Sequence, residues 1–346
     1  MTGGFIENVR LNDDGTGVVI LDQTLLPGET AYLELRGAEE LYEAISLLRV
    51  RGAPAIGIFA AFALYVLVRG KESAYEDYAG FRADVASFGK YLSSARPTAV
   101  NLARQLGRME TLAEDMAGTP VPAIIDAMRD EALAIQREDV EMCRAISEHG
   151  LTLIRDGDGI LTHCNAGPLA TSQYGTGLGT IFLAHGRGMR LRVYCDETRP
   201  LLQGARLTVY ELMKAGVDCT LICDNMASIV MDEGKIDAVF VGCDRVARNG
   251  DAANKIGTSG IAILAKHYGI PFYVFCPSST IDTDCRSGAD IVIEQRPPQE
   301  IAGLFFEKPI APEGVKCYNP AFDVTDNSLI TAIITENGIF RAPYRF

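Results

Sequence analysis

Two short stretches of this 346-residue chain place reactive side chains directly after apolar runs. The first is Leu161-Thr-His-Cys164-Asn-Ala-Gly-Pro168, and the second is Phe240-Val-Gly-Cys-Asp244-Arg-Val246. Each is typical of a buried strand that delivers a side chain to the rim of a sheet. A thiol at Cys164 and a carboxylate at Asp244, on neighbouring strand ends, could move protons on a small molecule.

Both residues also have a purely structural interpretation. Cys164 could be a small buried hydrophobic residue, and Asp244 could cap a helix. For such residues taken alone, the structural interpretation is the commoner outcome. The elements that position the two side chains, and the other motifs of the chain, must therefore decide between them.

Composition limits the class of protein and its partners. The length favours two domains, and 48% hydrophobic with 22% charged residues is ordinary for a globular chain. A net charge of −13 argues against a nucleic-acid or anionic-membrane partner. The N-terminus shows no export signal. The longest apolar stretch, 53–68, is too short for a comfortable membrane span and predicts a buried helix.

The cysteines indicate reduced thiols. There are nine, an odd number, with no Cys-x-x-Cys pair and no histidine cluster beside Cys219 and Cys223. We therefore expect no zinc site or other metal site. Several lie at or near predicted strand ends, as expected of buried thiols in a cytoplasmic protein: Cys164, Cys195, Cys223, Cys243 and Cys276.

The N-terminal third is predicted to be a mixed, mostly helical domain. β-rich runs at 17–22 and 31–35 suggest a hairpin. Apolar spacing then predicts helices at 38–48, 53–68, 75–92 and 99–116. A long amphipathic helix at about 122–149 leads into the second part of the chain. We therefore place the domain boundary between residues 1–121 and 122–346.

From Gly159 onward, apolar strands alternate with helices, which predicts an α/β domain with a parallel sheet covered on both faces. The predicted strands are 159–163, 191–195, 218–223, 238–242, 271–276 and 290–293. The predicted helices are 177–186, 201–215, 225–231, 257–268 and, in the tail, 328–336.

Ligands of such sheets bind outside the carboxyl ends of the strands. In this chain those ends are rich in carboxylates, amides and thiols, whereas the strand bodies are apolar. The asymmetry predicts a site at this edge. The residues there are His163-Cys164-Asn165, Cys195-Asp-Glu-Thr-Arg199, Cys223-Asp-Asn225, Gly242-Cys-Asp-Arg245 and Cys276-Pro-Ser-Ser279.

Two arginine motifs could bind an anion. In Arg51-Gly52-Ala53-Pro54, a cation precedes a helix start whose N–H groups attract phosphate, and Gly52 lets the backbone approach a ligand. Arg96 lies on an extended elbow before Pro97 and could fork onto a phosphate. The structural alternatives are a tight helix corner and a solvated loop arginine.

Further polar residues follow the later strands. Asn254 and Lys255, in a polar loop after Asp244, could hold a phosphate or sugar hydroxyls, or could cap the following helix. Gln203 opens another helix beside the same edge. The Gly-x-Gly-x-Gly spacing near residue 175 follows its strand too late for a dinucleotide site, so we expect no NAD site.

Taken together, these motifs resemble the methylthioribose-1-phosphate isomerase family, which is shared with the regulatory subunits of the exchange factor for translation initiation factor 2. The resemblance extends in order over nearly the whole chain. It rests on Arg51-Gly-Ala-Pro-Ala-Ile-Gly57, Arg96-Pro-Thr-Ala-Val-Asn101, Thr162-His-Cys164-Asn-Ala-Gly167, Glu197-Thr-Arg-Pro200 with Gln203-Gly204, Gly242-Cys-Asp244-Arg245, Asn249-Gly-Asp-Ala-Ala-Asn254-Lys255 and Asn319-Pro-Ala-Phe-Asp323.

The resemblance implies a homodimeric, cytoplasmic enzyme of methionine salvage, with a Rossmann-like C-terminal domain and no cofactor. It would convert 5-methylthioribose 1-phosphate to 5-methylthioribulose 1-phosphate. By motif match, the catalytic pair is Cys164 and Asp244. The substrate-binding positions are Arg51, Gly52, Ala53, Arg96, Gln203, Asn254 and Lys255.

The chemistry of the reaction fits the two catalytic residue types. Phosphorylation of the anomeric oxygen closes the ordinary route through a free aldehyde, so the ring oxygen must be protonated as its bond to C1 breaks. We assign Asp244 as proton donor, with a pKa raised by the apolar residues 238–243. Cys164 would act at C2, as a base or by stabilising a cationic transition state.

Two alternatives remain open from sequence. Relatives of this family act on 5-deoxyribose 1-phosphate or ribose 1,5-bisphosphate, so the 5-substituent is not fixed. The second is a non-enzymatic ligand sensor like the regulatory subunits. A sensor has no need of Cys164 and Asp244 beside Arg51, Arg96 and Lys255, which favours the enzyme.

Overall fold

The computed structural model describes residues 6–97, 99–344 and 346; Thr98, within the Arg96 motif, lies outside them. Contacts divide these residues into two compact units. The first, called here the helical unit, contains residues 6–141 and 168–173. The second, called here the sheet unit, contains residues 142–167 and the described part of 174–346. The predicted domain boundary between residues 121 and 122 stays a prediction, because the division by contacts does not show which part of the chain folds independently.

The first elements along the chain form a three-stranded antiparallel sheet and a set of helices. They are β1 (Val9–Leu11), β2 (Val18–Leu21), β3 (Tyr32–Leu35), α1 (Ala38–Ser46), α2 (Ala53–Arg69), α3 (Tyr78–Ser94), α4 (Val100–Asp115) and α5 (Val121–Leu151). These bounds confirm the predicted helices to within a few residues.

Helix α2 is the centre of the helical unit's core. Every residue from Ala55 to Val68 is buried. A helix that is apolar on all sides can be stable in water only when other elements cover it completely, and here α3, α4 and β1 pack around it. The prediction of a buried helix at 53–68 is confirmed. Among the described residues, no helix has the length and apolar character needed to cross a membrane.

The sheet unit alternates strands and helices. Its elements are β4 (Gly159–His163), α6 (Gly179–Gly186), β5 (Arg192–Asp196), α7 (Val209–Lys214), β6 (Cys219–Ile222), α8 (Ala227–Asp232), β7 (Ala238–Val241), β8 (Arg245–Ala247), β9 (Ala252–Lys255), α9 (Thr258–Tyr268), β10 (Phe272–Phe275), β11 (Ile281–Asp282), α10 (Gln299–Ala302), β12 (Phe322–Thr325), β13 (Ala332–Thr335) and β14 (Gly338–Phe340).

Within the described residues, the main sheet has seven strands in the order β14-β13-β10-β7-β4-β5-β6. All neighbours are parallel except β14, which is antiparallel to β13. The bodies of β4, β7, β10 and β13 are completely buried, which explains why they read as continuous apolar runs. The expected mixed α/β fold with a large, mainly parallel sheet is confirmed.

The structure corrects three predicted elements. The run 328–336 is not a helix: Ala332–Thr335 is strand β13, with Ala332 paired to Tyr273. The run 290–293 is not a strand, and follows a single 3-10 turn at Gly288–Asp290. The segment 201–215 is helical only from Gly204, where it begins with a π-helical turn that continues into α7.

The structure contains a second sheet that was not predicted from the sequence. Its order is β11-β8-β9-β12. Strands β8 and β9 form an antiparallel hairpin across residues 245–255, of which 249–255 was predicted to be a polar loop. Alanine-rich strands carry little intrinsic β preference, so only the pairing of β9 with β12 reveals the strand.

Candidate active site

Strands β4 and β7 flank the point where the order of the main sheet reverses. Strands β5 and β6 lie on one side of β4, while β7, β10 and β13 lie on the other. His163, the last residue of β4, is paired in register with Val241, the last residue of β7. Cys164 follows the first strand at once, and Asp244 comes three residues after the second. Both predicted catalytic residues thus leave the carboxyl edge at the position where ligands of such sheets bind.

The backbone of Cys164 is held in an unusual conformation. Its φ is +65°, a region that non-glycine residues rarely adopt and that persists only where neighbours enforce it. Its N–H donates to the hydroxyl of Thr198 at 2.8 Å, and its carbonyl accepts the hydroxyl of Thr208 at 2.6 Å. The side chain is only half-buried. The structure therefore fixes the main chain of Cys164 and leaves its thiol partly accessible.

Thr198 belongs to a second tight turn, directly after β5. Its φ is also +65°. The two carboxylate oxygens of Asp224 accept the N–H groups of Thr198 and Arg199, each at 2.7 Å. A carboxylate that accepts consecutive amide groups locks a turn more strongly than a neutral acceptor would. Asp224, which follows β6, therefore positions the hydroxyl that holds Cys164.

Asp244 lies between the main sheet and the hairpin. Its N–H donates to the carbonyl of Ala253 at 2.9 Å, next to Asn254. Its side chain is exposed, so the expectation that residues 238–243 surround this carboxyl with apolar groups is wrong. The buried strand ends at Val241, and the chain has left the interior three residues later. Asp244 also precedes a strand, so it does not cap a helix.

Asn254 and Lys255 are on strand β9 and not in a loop. Both are buried. The amide of Asn254 donates to the hydroxyl of Thr258 at 3.1 Å, and the ammonium of Lys255 donates to the carbonyl of Ala321 at 2.9 Å. Lysine is almost never so buried unless paired. A cation at this strand end suits a bound anion.

The helix after Asn254 and Lys255 is capped by another residue. Asp323, on β12, accepts the N–H of Gly257 at 2.8 Å, the N–H of Ser259 at 3.1 Å and the hydroxyl of Ser259 at 2.9 Å. An anionic side chain here satisfies the free N–H groups of α9. Asn254 is therefore not needed as the helix cap.

Gln203 precedes the π-helical turn beside the end of β5. Its side chain is buried, with 7% exposed. Among the described residues, no donor reaches its carbonyl oxygen Oε1. A buried acceptor without a partner costs free energy, and such groups are frequently completed by a ligand.

A buried ion pair lies directly behind Cys164. The ring of His163 is 1% exposed, and Asp196 is fully buried. Nδ1 of His163 is 3.0 Å from Oδ2 of Asp196, and Nε2 is 2.9 Å from the carbonyl oxygen of Ile256. Both residues were placed at predicted strand ends, but neither was assigned a role. The sequence pattern could have indicated one, because each is a titratable residue that ends an otherwise apolar strand.

His163, Asp196 and Asp224 are also the described side chains grouped closely enough to hold a metal ion. Most of their donor atoms already have partners. Both nitrogens of His163 face an acceptor, and both oxygens of Asp224 accept a main-chain N–H, whereas Oδ1 of Asp196 has no partner among the described residues. These hydrogen bonds indicate a structural network.

The remaining predicted positions lie in the helical unit. Arg51 and Gly52 precede α2, Ala53 is its first residue, and Arg96 lies between α3 and α4. A Cβ on Gly57 would lie 3.0 Å from the carbonyl of Asn101, so the first turns of α2 and α4 pack together. The two arginines are therefore brought to the same end of this unit.

Gly52 has a structural reason of its own. Its φ is +93°, and a Cβ at this position would lie 2.6 Å from Cα of Ala170. The close approach that the sequence predicted for a ligand is thus already made by the chain itself. Binding of a ligand at Gly52 stays a prediction.

All nine cysteines are free thiols. Burial raises the pKa of Cys195 and of Cys243 well above the ordinary value. The sulfur of Cys243 donates to the carbonyls of Arg245 at 3.1 Å and Ala253 at 3.3 Å. These two thiols are therefore protonated and unreactive at neutral pH.

Comparison with known proteins gives one family over most of the chain. The model of the initiation factor 2 subunit family matches residues 49–342. A methylthioribose-1-phosphate isomerase of Symbiobacterium thermophilum is 62% identical over 339 residues, covering 98% of this chain and 94% of the relative. A 5-deoxyribose 1-phosphate isomerase of Petrotoga mobilis is 57% identical over 337 residues, covering 97% and 96%.

A solved structure has the same fold. The crystal structure of 5-methylthioribose 1-phosphate isomerase from Pyrococcus horikoshii OT3 is 40% identical, with a TM-score of 0.92. The match covers 98% of this chain and 93% of that one. An identity of 40% over nearly the whole of both chains indicates a closer relationship than a shared fold alone.

Proposed function

The chain belongs to the initiation factor 2 subunit family, and we propose that it is an aldose–ketose isomerase that converts 5-methylthioribose 1-phosphate to 5-methylthioribulose 1-phosphate. The reaction places it in methionine salvage. Its isomerase relatives match nearly end to end. The strand order β6-β5-β4-β7-β10-β13 supports a Rossmann-like arrangement of the sheet unit.

One observation carries the proposal more than any other. A half-buried thiol on a fixed backbone and an exposed carboxylate leave the two strands that flank the reversal in strand order. A regulatory binding protein has no use for a cysteine held at φ +65° by two threonine hydroxyls. An isomerase needs groups that exchange protons, held at fixed positions.

The net reaction moves two hydrogens. One passes from C2 to C1, and one proton passes from the C2 hydroxyl to the ring oxygen as the bond between that oxygen and C1 breaks. We propose that Asp244 gives its proton to the ring oxygen and recovers one from the C2 hydroxyl, so the enzyme ends the cycle unchanged.

Asp244 must carry a proton to act in this way. Because its side chain is exposed in the ligand-free chain, the surrounding residues do not supply the required apolar environment. A bound sugar phosphate both covers the carboxyl and brings a negative charge close to it, and both effects favour the protonated form. We therefore infer that the substrate itself raises the pKa of Asp244.

Cys164 acts at C2, either as the base that removes the hydrogen or as a group that stabilises positive charge while hydrogen moves as a hydride. Turnover in deuterated water separates the two roles. Deuterium at C1 of the product would assign Cys164 as a base. Its complete absence would assign a direct shift from C2 to C1.

We propose that Asn254, Lys255 and Gln203 bind the substrate on the sheet unit. Lys255 offers a buried cation, and Gln203 offers a buried carbonyl oxygen with no described donor. The further positions Arg51, Gly52, Ala53 and Arg96 are proposed from the family resemblance. Replacing either arginine by glutamine should raise KM more than it lowers kcat, since a phosphate contact serves substrate and transition state alike.

The experiment that tests the function compares turnover on 5-methylthioribose 1-phosphate, 5-deoxyribose 1-phosphate and ribose 1,5-bisphosphate. We expect the highest kcat/KM on the first and loss of turnover in Cys164→Ser. Cys317→Ser, at a cysteine with no role in the proposed site, is the matched control and should keep full activity. Preference for the deoxy sugar would reassign the substrate, and inactivity on all three would leave a regulatory binding protein.

The free thiols support a cytoplasmic location, where glutathione keeps cysteines reduced. We further propose, from the family resemblance, that the protein is a homodimer that needs no cofactor. Light scattering during size-exclusion chromatography tests the oligomer, and turnover after exhaustive dialysis against a chelator tests the cofactor.

A further inference from the structure

The ring of His163 forms hydrogen bonds with residues from two other chain segments. Asp196 ends β5, and Ile256 follows β9, while Cys164 is the next residue after His163 itself. The ring reaches the first two through its two nitrogens, at 3.0 and 2.9 Å. A single side chain therefore joins the strand end that carries the thiol to the segment that carries Asn254 and Lys255.

The two hydrogen bonds depend on the protonation of the pair. The carbonyl of Ile256 can only accept, so Nε2 must carry a hydrogen. Asp196 accepts from Nδ1 when it is ionised and donates to Nδ1 when it is protonated. Where Asp196 is ionised, both bonds are therefore made only by an imidazolium that donates to both partners.

The electrostatic surroundings agree with a charged ring. Burial alone would lower the pKa of His163, but the hydrogen bond to Asp196, the charge of Asp196 and the charge of Asp224 together raise the pKa above its ordinary value. Asp196 and Asp224 are the acidic groups that act on the ring, and the Ile256 carbonyl adds to them. Burial raises the pKa of Asp196 to about 6, against the lowering effect of His163.

A glycine packs against the ring beside the Ile256 bond. A Cβ on Gly257 would lie 3.0 Å from both Cε1 and Nε2 of His163. Gly257 has φ +103° and immediately precedes α9. The main chain after Lys255 is thus pressed against the imidazole, and the ring cannot shift without moving this segment.

The two catalytic strand ends hold the same short segment from opposite sides. Asp244 donates its N–H to the carbonyl of Ala253, and His163 donates Nε2 to the carbonyl of Ile256. Between these two carbonyls lie Asn254 and Lys255. Pairing with β12 holds this segment within the second sheet, whereas the His163 bond is the contact that joins it to the end of β4, directly before Cys164.

We propose that His163 is a positioning residue for the reaction: through Asp196 and the Ile256 carbonyl it sets the distance between Cys164 and the Asn254–Lys255 segment. This inference rests on the proposed function. His163 touches no reacting atom. While Asp196 is ionised, the ring charge keeps both bonds made at once, and loss of the Nδ1 proton breaks the bond to Asp196.

The test uses the full-length protein with His163→Gln and Asp196→Asn, and with His267→Gln as control at an exposed histidine of α9. We expect kcat to fall about a hundredfold in both test variants, because a displacement of about 1 Å costs that much. The control should keep wild-type kcat and KM. If His163→Gln does not fold, Asp196→Asn decides, since it keeps the shape of the site.

A structural role alone would not change the pH profile. The wild type should lose kcat/KM as pH rises through the folded pKa of His163. In Asp196→Asn this loss should move to lower pH, because the carboxylate no longer supports the ring charge. An unchanged kcat or an unmoved profile in Asp196→Asn would overturn the proposal.

A measurement without turnover separates this proposal from the assigned reaction. The chain has four histidines, so a nitrogen-15 spectrum of the imidazoles resolves His163 by comparison with His163→Gln. We expect both of its ring nitrogens still to be protonated at the pH where an ordinary histidine is half-neutral, about 6.5. A neutral ring at that pH would overturn the proposed positioning role of His163 even in an active enzyme. A charged ring would support that role even if no sugar phosphate is turned over.

Discussion

The N–H of Cys164 donates to the hydroxyl of Thr198 at 2.8 Å, and both residues have φ +65°. Two strained turns at the ends of adjacent strands β4 and β5 are thus joined by one hydrogen bond. Backbone strain is therefore present in both residues: in Cys164, which is proposed to react, and in Thr198, which holds it.

The first prediction concerns this bond. Thr198→Val keeps the shape of the side chain but removes the acceptor for Cys164 and the donor to the Asp196 carbonyl. We expect kcat to fall at least tenfold and stability to fall by about 1–3 kcal/mol, since a buried N–H is left without a partner. Thr198→Ser keeps the hydroxyl and is the matched control. Equal activity of the two variants would show that the bond does not matter.

The second prediction concerns the proton donor. Asp244→Asn keeps the size of the exposed side chain but cannot give up a proton. We expect kcat to fall by about two to four orders of magnitude, with thermal stability unchanged because the packing of β7 ends before this residue. Asp284→Asn, at another exposed aspartate of the sheet unit, should be fully active. Near-normal turnover in Asp244→Asn would remove this residue from the mechanism.

The third prediction separates structure from chemistry within one motif. Asp251 lies in the stretch that leads to Asn254, but its carboxylate accepts the N–H of Gly288 at 2.9 Å, the N–H of Asn327 at 2.9 Å and the amides of Asn249 and Asn327 at 2.8 Å. Asp251→Ala should therefore lower the free energy of unfolding by about 2–4 kcal/mol, as several charge-assisted hydrogen bonds are lost together.

The pH dependence of this effect has a definite sign. Burial opposes ionisation of Asp251, but the four hydrogen bonds outweigh it and hold its pKa below the ordinary value of 3.8. The folded state then binds fewer protons than the unfolded state, so the contribution is complete above pH 3.8 and is lost as pH falls through the folded pKa. Urea titrations of wild type and Asp251→Ala should converge towards acid pH. A difference that grows on acidification would contradict this assignment.

The fourth prediction concerns a glycine. Gly52→Ala forces a side chain to φ +93° and places its Cβ 2.6 Å from Cα of Ala170. We expect a loss of about 1–3 kcal/mol from backbone strain alone, read as a lower midpoint of unfolding. Gly107→Ala is the control: its Cβ meets nothing within 4 Å on helix α4, so this variant should gain about 0.5–1 kcal/mol.

Much of the sheet unit could be predicted from sequence because each buried strand is an uninterrupted apolar run. Strand β4 was predicted at its observed bounds, and β7 to within one residue. Strand β13 was predicted as part of a helix, because residues 328–336 taken together also fit a helix. Its conformation is decided by pairing with β10, which is a contact between distant parts of the chain.

The candidate site shows the same division. Cys164 and Asp244 were found because each follows an apolar run. The hydroxyls of Thr198 and Thr208 and the carboxylate of Asp224 were not given a role, since their importance lies in hydrogen bonds across 26 to 44 positions of sequence. The exposure of Asp244 could not be predicted either, because it lies between the buried residues Val241 and Val246.

The unpartnered oxygen of Gln203 has a consequence for substrate discrimination. A buried carbonyl oxygen left without a donor costs about 1–3 kcal/mol, and no described residue donates to Oε1 of Gln203. If a sugar hydroxyl donates to this oxygen, as we propose, a deoxygenated analogue leaves it without a donor. The analogue should then bind roughly tenfold or more weakly, and Gln203→Leu should abolish the difference.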